Sequence, residues 1–227
     1  MTKLYYEERG ITLYHGDCRE ILPLLKRESC HLIVTDPPYG VAWRSERRKQ
    51  KFEVMQGDRD AGLAVAATKL ALRVLADKRH LYIFGRYDWD GVNVGMPAEL
   101  IWDKMMQGLG SAGNCWSLSH EYISFMRSCR PYEKGRDGPP ARLRRGTVLR
   151  FSRKNGRAVR HPAEKPVGLL RELIESSSRL GETVLDYFAG IGSTLVAARL
   201  EGRRAIGIEI EERWCEMAAE RLRVGDK

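Results

Sequence analysis

An α/β architecture built on a mostly parallel, doubly wound sheet is the fold this chain predicts. Short apolar runs of strand length alternate with segments whose apolar residues repeat at helical spacing, as when a sheet is covered on both faces. Near the C-terminus one such run, Val184-Leu185-Asp186, passes through a glycine-rich turn directly into a helix-like segment. Hydrophobic residues make up 43% of the 227, ample for one compact core. Residues 1–227 are therefore expected to form a single domain, with 130–160 as an insertion.

Taken in order, residues 11–14 read as a short strand and 18–26 as a short helix. His31-Leu32-Ile33-Val34-Thr35 is a buried strand that ends directly at Asp36. The Ala/Leu-rich stretch 61–76 has helical spacing, and 80–84 is the next strand, closed by Gly85. Two further strands, 99–103 and 121–126, flank a loop rich in Gly, Ser and Asn. A small strand is expected at 147–151, inside the polar insertion. Residues 166–180 form a helix with Pro166 in its first turn, where proline is favoured. Then come the strand 183–186, the helix 193–200, the apolar strand 204–208 and an amphipathic helix over 211–222.

The charge is unevenly placed. Net charge is +9, and residues 130–160 hold eleven basic and two acidic residues, equal to the excess of the whole chain. Arg142, Arg144, Arg145, Arg153 and Lys154 are its candidate phosphate contacts. A second basic run, with Arg44, Arg47, Arg48 and Lys49, follows soon after Asp36-Pro37-Pro38-Tyr39. Clustered positive charge suits a polyanion, because each phosphate neutralised releases counterions. A solvated face is the plainer account of a charge run, so the position of these runs beside the motifs matters. The five cysteines are odd in number and form no C-x-x-C pair, which argues against a disulfide framework or a zinc site, and no metal is expected. No run approaches the roughly 18–20 apolar residues of a membrane span, and the first residues lack the apolar core of a signal peptide. A soluble, cytoplasmic protein without a membrane partner is expected.

In Val184-Leu185-Asp186-Tyr187-Phe188-Ala189-Gly190-Ile191-Gly192-Ser193-Thr194, Gly190 and Gly192 permit tight turning and close approach of a ligand. Beyond this turn the strand 204–208 leads into Glu209, whose carboxylate suits the paired hydroxyls of a ribose. The third glycine of the dinucleotide pattern is missing, since Leu195 holds its place. The segment instead resembles the D-x-F-x-G-x-G signature of S-adenosylmethionine-dependent methyltransferases. That resemblance implies cofactor contacts for Asp186, Phe188, Gly190, Gly192, Ser193, Thr194 and Glu209. In related enzymes an acid at the end of an early strand accepts from the cofactor's adenine amino group, a role that falls on Asp17; a helix N-cap is the other reading of Asp17.

Asp36-Pro37-Pro38-Tyr39 stands at the carboxyl end of a buried strand, where open α/β sheets place chemistry. An aromatic amine is a poor nucleophile because its lone pair is delocalised into the ring. A carboxylate and a carbonyl that each accept one N–H draw that nitrogen toward tetrahedral geometry. Asp36 and the Pro37 carbonyl suit this task, the two prolines stiffen the turn, and Tyr39 offers a face for an extruded base.

With both signatures present, the chain resembles the amino-methylating DNA methyltransferases, in the permuted beta class where the D-P-P-Y block precedes the glycine block. The resemblance runs from about Thr12 to Leu222. His161-Pro162-Ala163-Glu164-Lys165-Pro166 resembles the H-P-x-x-K-P element that lines the methionine end of the cofactor, which implies a role for Lys165. Asp36 thereby stands in both the catalytic and the cofactor sets. The resemblance implies a Rossmann-like methyltransferase fold, S-adenosyl-L-methionine as cofactor, double-stranded DNA as partner and 130–160 as target-recognition region. It leaves room for a homodimer and for a cognate restriction enzyme. Adenine N6 is the leading target, because aspartate at the first tetrapeptide position is commoner in adenine enzymes; cytosine N4 is the neighbouring alternative. Methylation of RNA or of protein glutamine, and a non-catalytic DNA-binding module on an old methyltransferase fold, are the competing readings.

Overall fold

The computed structural model describes residues 3–38, 62–105, 116–128, 145–153 and 164–224. β3 (Cys30–Thr35) is buried from Leu32 to Thr35 because both its edges are paired, in parallel, with β4 (Leu75–Phe84) and β8 (Thr183–Asp186). Its unbroken apolar run follows from cover on both faces: Leu32 and Val34 enter one core, Ile33 the other.

Nine strands among the described residues form one sheet, ordered β1-β2-β9-β8-β3-β4-β6-β5-β7. β1 (Lys3–Glu8) pairs antiparallel with β2 (Ile11–His15), which runs parallel to β9 (Arg204–Glu209). β9 pairs in parallel with β8. On the other side, β6 (His120–Ser128) is antiparallel to β4 and to β5 (Val94–Asp103), and β7 (Val148–Arg150) closes the edge in parallel with β5. Part of the basic segment is thus an edge strand of the sheet. One face is covered by α3 (Val167–Ser177), α4 (Ser193–Leu200) and α5 (Glu212–Val224), through Leu169, Leu173, Val196 and Ala218. The other is covered by α1 (Cys18–Ile21) and α2 (Leu63–Ala71), through Ile21, Ala67 and Ala71. The doubly wound arrangement is the one expected.

Some elements depart from the sequence reading. β1 was not anticipated; Arg9 and Gly10, both at positive φ (51° and 78°), fold it back onto β2 as a two-residue hairpin. The expected helix over 18–26 ends at Ile21, and Leu22-Pro23-Leu24 continues as a 3-10 turn. The helix over 61–76 stops at Ala71, because Leu75 and Ala76 are drawn into β4, where Leu75 faces Cys30. The helix over 166–180 ends at Ser177; extended Ser178 is held through its carbonyl and hydroxyl by the Arg203 guanidinium. Cys18, Cys30 and Cys215 are buried free thiols, while Cys115 and Cys129 lie outside the described residues. Among the described residues no helix is long and apolar enough to cross a membrane.

Gly207, inside β9, lies against the glycine turn. A Cβ there would meet Leu195 Cδ1 at 2.7 Å, Leu13 Cδ1 at 3.1 Å and Ala189 Cβ at 3.2 Å. Gly207→Ala is expected to lower stability by about 1–3 kcal/mol, read by denaturant unfolding. Gly146→Ala, with nothing within 4 Å of the added Cβ, is the control that leaves the midpoint in place.

Candidate active site

The chain leaves β3 toward α2 on one face and leaves β8 toward α4 on the other. Helices that diverge from two neighbouring parallel strands open a crevice at their carboxyl ends. Here that crevice is a cavity of about 220 Å³, bounded by the segments 35–38, 186–194 and 208–211 and by 16–19 beyond β2. Asp36 and the Phe188–Gly192 turn, 150 residues apart from Asp36 to Asp186, therefore share one cleft.

The glycine turn is fixed by two buried acids. Asp186 accepts from Thr35 Oγ1 at 2.7 Å and from the Phe188 N–H at 3.1 Å, and also from Thr194. Its carboxylate thus ties the end of β3 to the turn and to α4. Burial is the main force on its pKa, pushing it up to about 6 against the pull of these donors. Glu209 accepts the Gly190 N–H at 2.7 Å and the Glu211 N–H at 2.8 Å. The Ile210 N–H is a third donor to it, which leaves part of the carboxylate's four-site acceptor capacity open. Burial raises its pKa to about 7. Gly190 and Gly192 are at positive φ (50° and 74°), and a Cβ on Gly192 would come within 3.0 Å of Ala218 Cβ. No side chain caps the start of α4, so its first N–H groups suit an anionic ligand. Asp17 caps α1 through the Arg19 N–H at 2.8 Å, and its pKa is lowered mainly by hydrogen bonding to the Arg19 side chain.

At the opposite end lies a chain of alternating charges. Lys165 Nζ is 2.5 Å from Asp36 Oδ2 and 3.3 Å from Glu121 Oε2, while Glu121 Oε1 is 2.9 Å from Lys104 Nζ. Lys165 is buried, with its ammonium 5.0 Å from the centre of the Phe84 ring. Burial lowers its pKa, but Asp36 and Glu121 outweigh that and hold it above the usual lysine value. The Tyr87 hydroxyl donates to the Pro37 carbonyl at 3.3 Å. The neighbouring Glu164 is fully buried beside Arg221 at 3.5 Å, and Arg221 also donates to Ile191 O and Ser193 Oγ. α5 thereby holds the Glu164-Lys165 segment against the glycine turn.

Residues 30–220 match a family model described as DNA methylase. The chain belongs to the N6/N4 DNA methylase family. It is 32% identical to YubD of Escherichia coli (strain K12), a methylase by name, over 91% of this chain and 88% of that protein. It is 29% identical to the Type II methyltransferase M2.DpnII of Streptococcus pneumoniae, over 98% and 93%. A DNA modification methylase of Thermus thermophilus, solved with S-adenosyl-L-methionine, superposes with a TM-score of 0.66 at 26% identity, over 92% of this chain and 91% of that one.

Of the residues singled out in the sequence, Asp17, Asp36, Pro37, Lys165, Asp186, Phe188, Gly190, Ser193, Thr194 and Glu209 border this methylase cleft, and Gly192 starts α4 beside it. Arg145 pairs instead with Glu172 and Glu175 on α3, and Arg153, half-buried beyond β7, does not border the cleft. Tyr39, Arg44, Arg47, Arg48, Lys49, Arg142, Arg144, Lys154 and His161 lie outside the described residues. The sequence reading passed over Thr35, Glu164 and Arg221 and gave Glu121 no chemical part. Among the described residues no group of His, Cys, Asp or Glu is arranged to hold a metal ion.

Because its folded pKa of about 7 exceeds its ordinary 4.5, Glu209 binds protons more tightly in the native state. Its ionisation therefore costs stability, a penalty absent below pH 4.5 and complete above about 7. Between those limits the stability of Glu209→Gln relative to the parent is expected to rise by roughly 3 kcal/mol at most. Urea unfolding of both proteins across that range checks it; a constant difference contradicts it.

Proposed function

We propose that this chain moves a methyl group from S-adenosylmethionine to an exocyclic amino group of a flipped DNA base, adenine N6 foremost. The observation that carries the reading is the opening of Asp36 and Pro37 into the same cleft as Glu209 and the glycine turn. The residues suit the cofactor. Glu209 keeps acceptor capacity for a ribose hydroxyl, Asp17 is an ionised acceptor for an adenine amino group, and the uncapped α4 start with Phe188, Gly190, Gly192, Ser193 and Thr194 suits the methionine carboxylate. S-adenosylmethionine supplies a methyl group already activated by its sulfonium. Transfer then needs positioning more than acid–base power. Asp36 and the Pro37 carbonyl each accept one amino hydrogen of the target, which localises the nitrogen lone pair. Tyr39 stacks on the flipped ring, and the proton lost afterwards passes to Asp36 or to water.

Asp36 at the first tetrapeptide position favours adenine over cytosine as target. Residues 130–160 are assigned to target recognition, with Arg142, Arg144, Arg153 and Lys154 on the DNA and Arg44, Arg47, Arg48 and Lys49 gripping the strand beside the flipped base. Whether each reads a base edge or holds a phosphate follows from salt dependence and sequence preference of its variants.

Asp36→Ala is expected to abolish transfer, a loss on the order of a thousandfold, while calorimetry still registers cofactor binding. Phe188→Ala and Gly190→Val weaken that binding instead. Near-normal turnover of Asp36→Ala overturns the mechanism. With labelled methyl donor and duplex DNA, label is expected in N6-methyladenine; label solely in N4-methylcytosine overturns the choice of base and leaves the rest standing.

A further inference from the structure

Glu121 is half-buried near the start of β6, and its two oxygens are held unequally. Lys104 anchors Oε1 at 2.9 Å; Oε2 is buried and takes no hydrogen bond of good geometry from any of the described residues. An orphaned buried carboxylate oxygen is costly and rare. Lys165 Nζ stands 3.3 Å from it, close enough for ion pairing, while the ammonium's short contact goes to Asp36 at 2.5 Å. One buried ammonium thus has two carboxylates in reach, one taken and one empty.

We propose that Glu121 is a positioning residue that offers Lys165 a second seat: the ammonium rests on Asp36 until the target amine claims that carboxylate, and then passes to Glu121 Oε2. The inference rests on the reading of Asp36 as the acceptor for that amine. Seating on Glu121 requires the ammonium to close a gap of 3.3 Å to the roughly 2.8 Å of a charge-assisted hydrogen bond, a movement within one side chain's reach. Glu121 is charged throughout the working range: burial would raise its pKa, but Lys165 and Lys104 bring it down to about 2. Lys104 fixes the carboxylate so that its empty oxygen stays aimed at Lys165. Without the second seat the ammonium would remain bound to Asp36 and compete with the amino group.

The test uses stability first, so that it does not depend on any activity. Asp36→Asn and Glu121→Gln each leave Lys165 one carboxylate, and each is expected to lower the melting temperature by about 3 °C. Together they take both of these carboxylates from a buried ammonium and are expected to lower it by about 10 °C or more. Lys165→Met in that double variant should recover most of the loss. Losses that merely add, or no recovery with Lys165→Met, overturn the proposal. In the methylation assay at saturating donor, Glu121→Gln should slow turnover about tenfold with donor and DNA affinities unchanged, and should have no effect once Lys165 is Met. The same cost in both backgrounds, or parental turnover, overturns it as well. A parent protein that methylates no DNA base refutes the substrate reading, whereas the stability measurements still decide the exchange of seats.

Discussion

β3 and β8 lie side by side and parallel, Leu32 beside Val184 and Ile33 beside Leu185, and the cleft takes its position from that pairing. Two strands with Asp36 at the end of one and Asp186 at the end of the other, a long way apart in the chain, must finish at the same level of the sheet. The hydrogen bond from Thr35 to Asp186 closes the junction. A slip of one residue would exchange the faces of Leu32, Ile33 and Val34 and move both acids, so the two cores fix the register as firmly as the backbone bonds do. The order of the two motifs along the chain is therefore immaterial to the chemistry. What counts is that the helices following the two strands lie on opposite faces.

The cleft is electrostatically divided. On the glycine-turn side, burial raises the pKa values of Asp186 and Glu209 against the pull of their neutral donors, and their bonds hold backbone in place. On the tetrapeptide side the carboxylates are matched by ammonium groups, and Glu121 is held far below the usual carboxylate range despite its burial. The first arrangement suits hydrogen bonding to uncharged hydroxyls. The second sets a carboxylate against an ammonium at the tetrapeptide end of the cleft. A buried charge is tolerable only when it is paired, and the series Asp36, Lys165, Glu121, Lys104 pairs each charge with the next.

Much of this was legible in the chain. The strand ends at Asp36, Asp186 and Glu209 could be read because an apolar run that stops at an acid marks the point where a buried strand meets a polar edge. Gly190 and Gly192 announce a turn that the structure confirms with positive φ. Less legible were features decided across the sheet. β1 is mostly exposed and carries little periodicity; its signal is the Arg9-Gly10 turn. Leu75 and Ala76 follow a helical pattern until pairing with Cys30 recruits them to β4. Lys165 and Glu121 stand on separate elements, and no local spacing records that their side chains meet. Gly207 reads as an ordinary strand residue until Leu195 is packed against it.

The contact between α5 and the cleft shows why the segment at 164–166 can carry a buried lysine. Arg221, itself buried, reaches Glu164, the Ile191 carbonyl and the Ser193 hydroxyl at once. It thereby couples the residue before Lys165 to the turn that opens α4. Pro166, next in the chain, is the N-cap of α3 with an extended backbone (φ −59°, ψ 127°), so the chain enters the helix from a fixed direction. With both ends held, the backbone at Lys165 has little freedom, and only the side chain's own torsions remain to choose between acceptors. A rigid backbone under a flexible four-carbon stem confines motion to the ammonium, where a shift of a fraction of an ångström changes which carboxylate it neutralises.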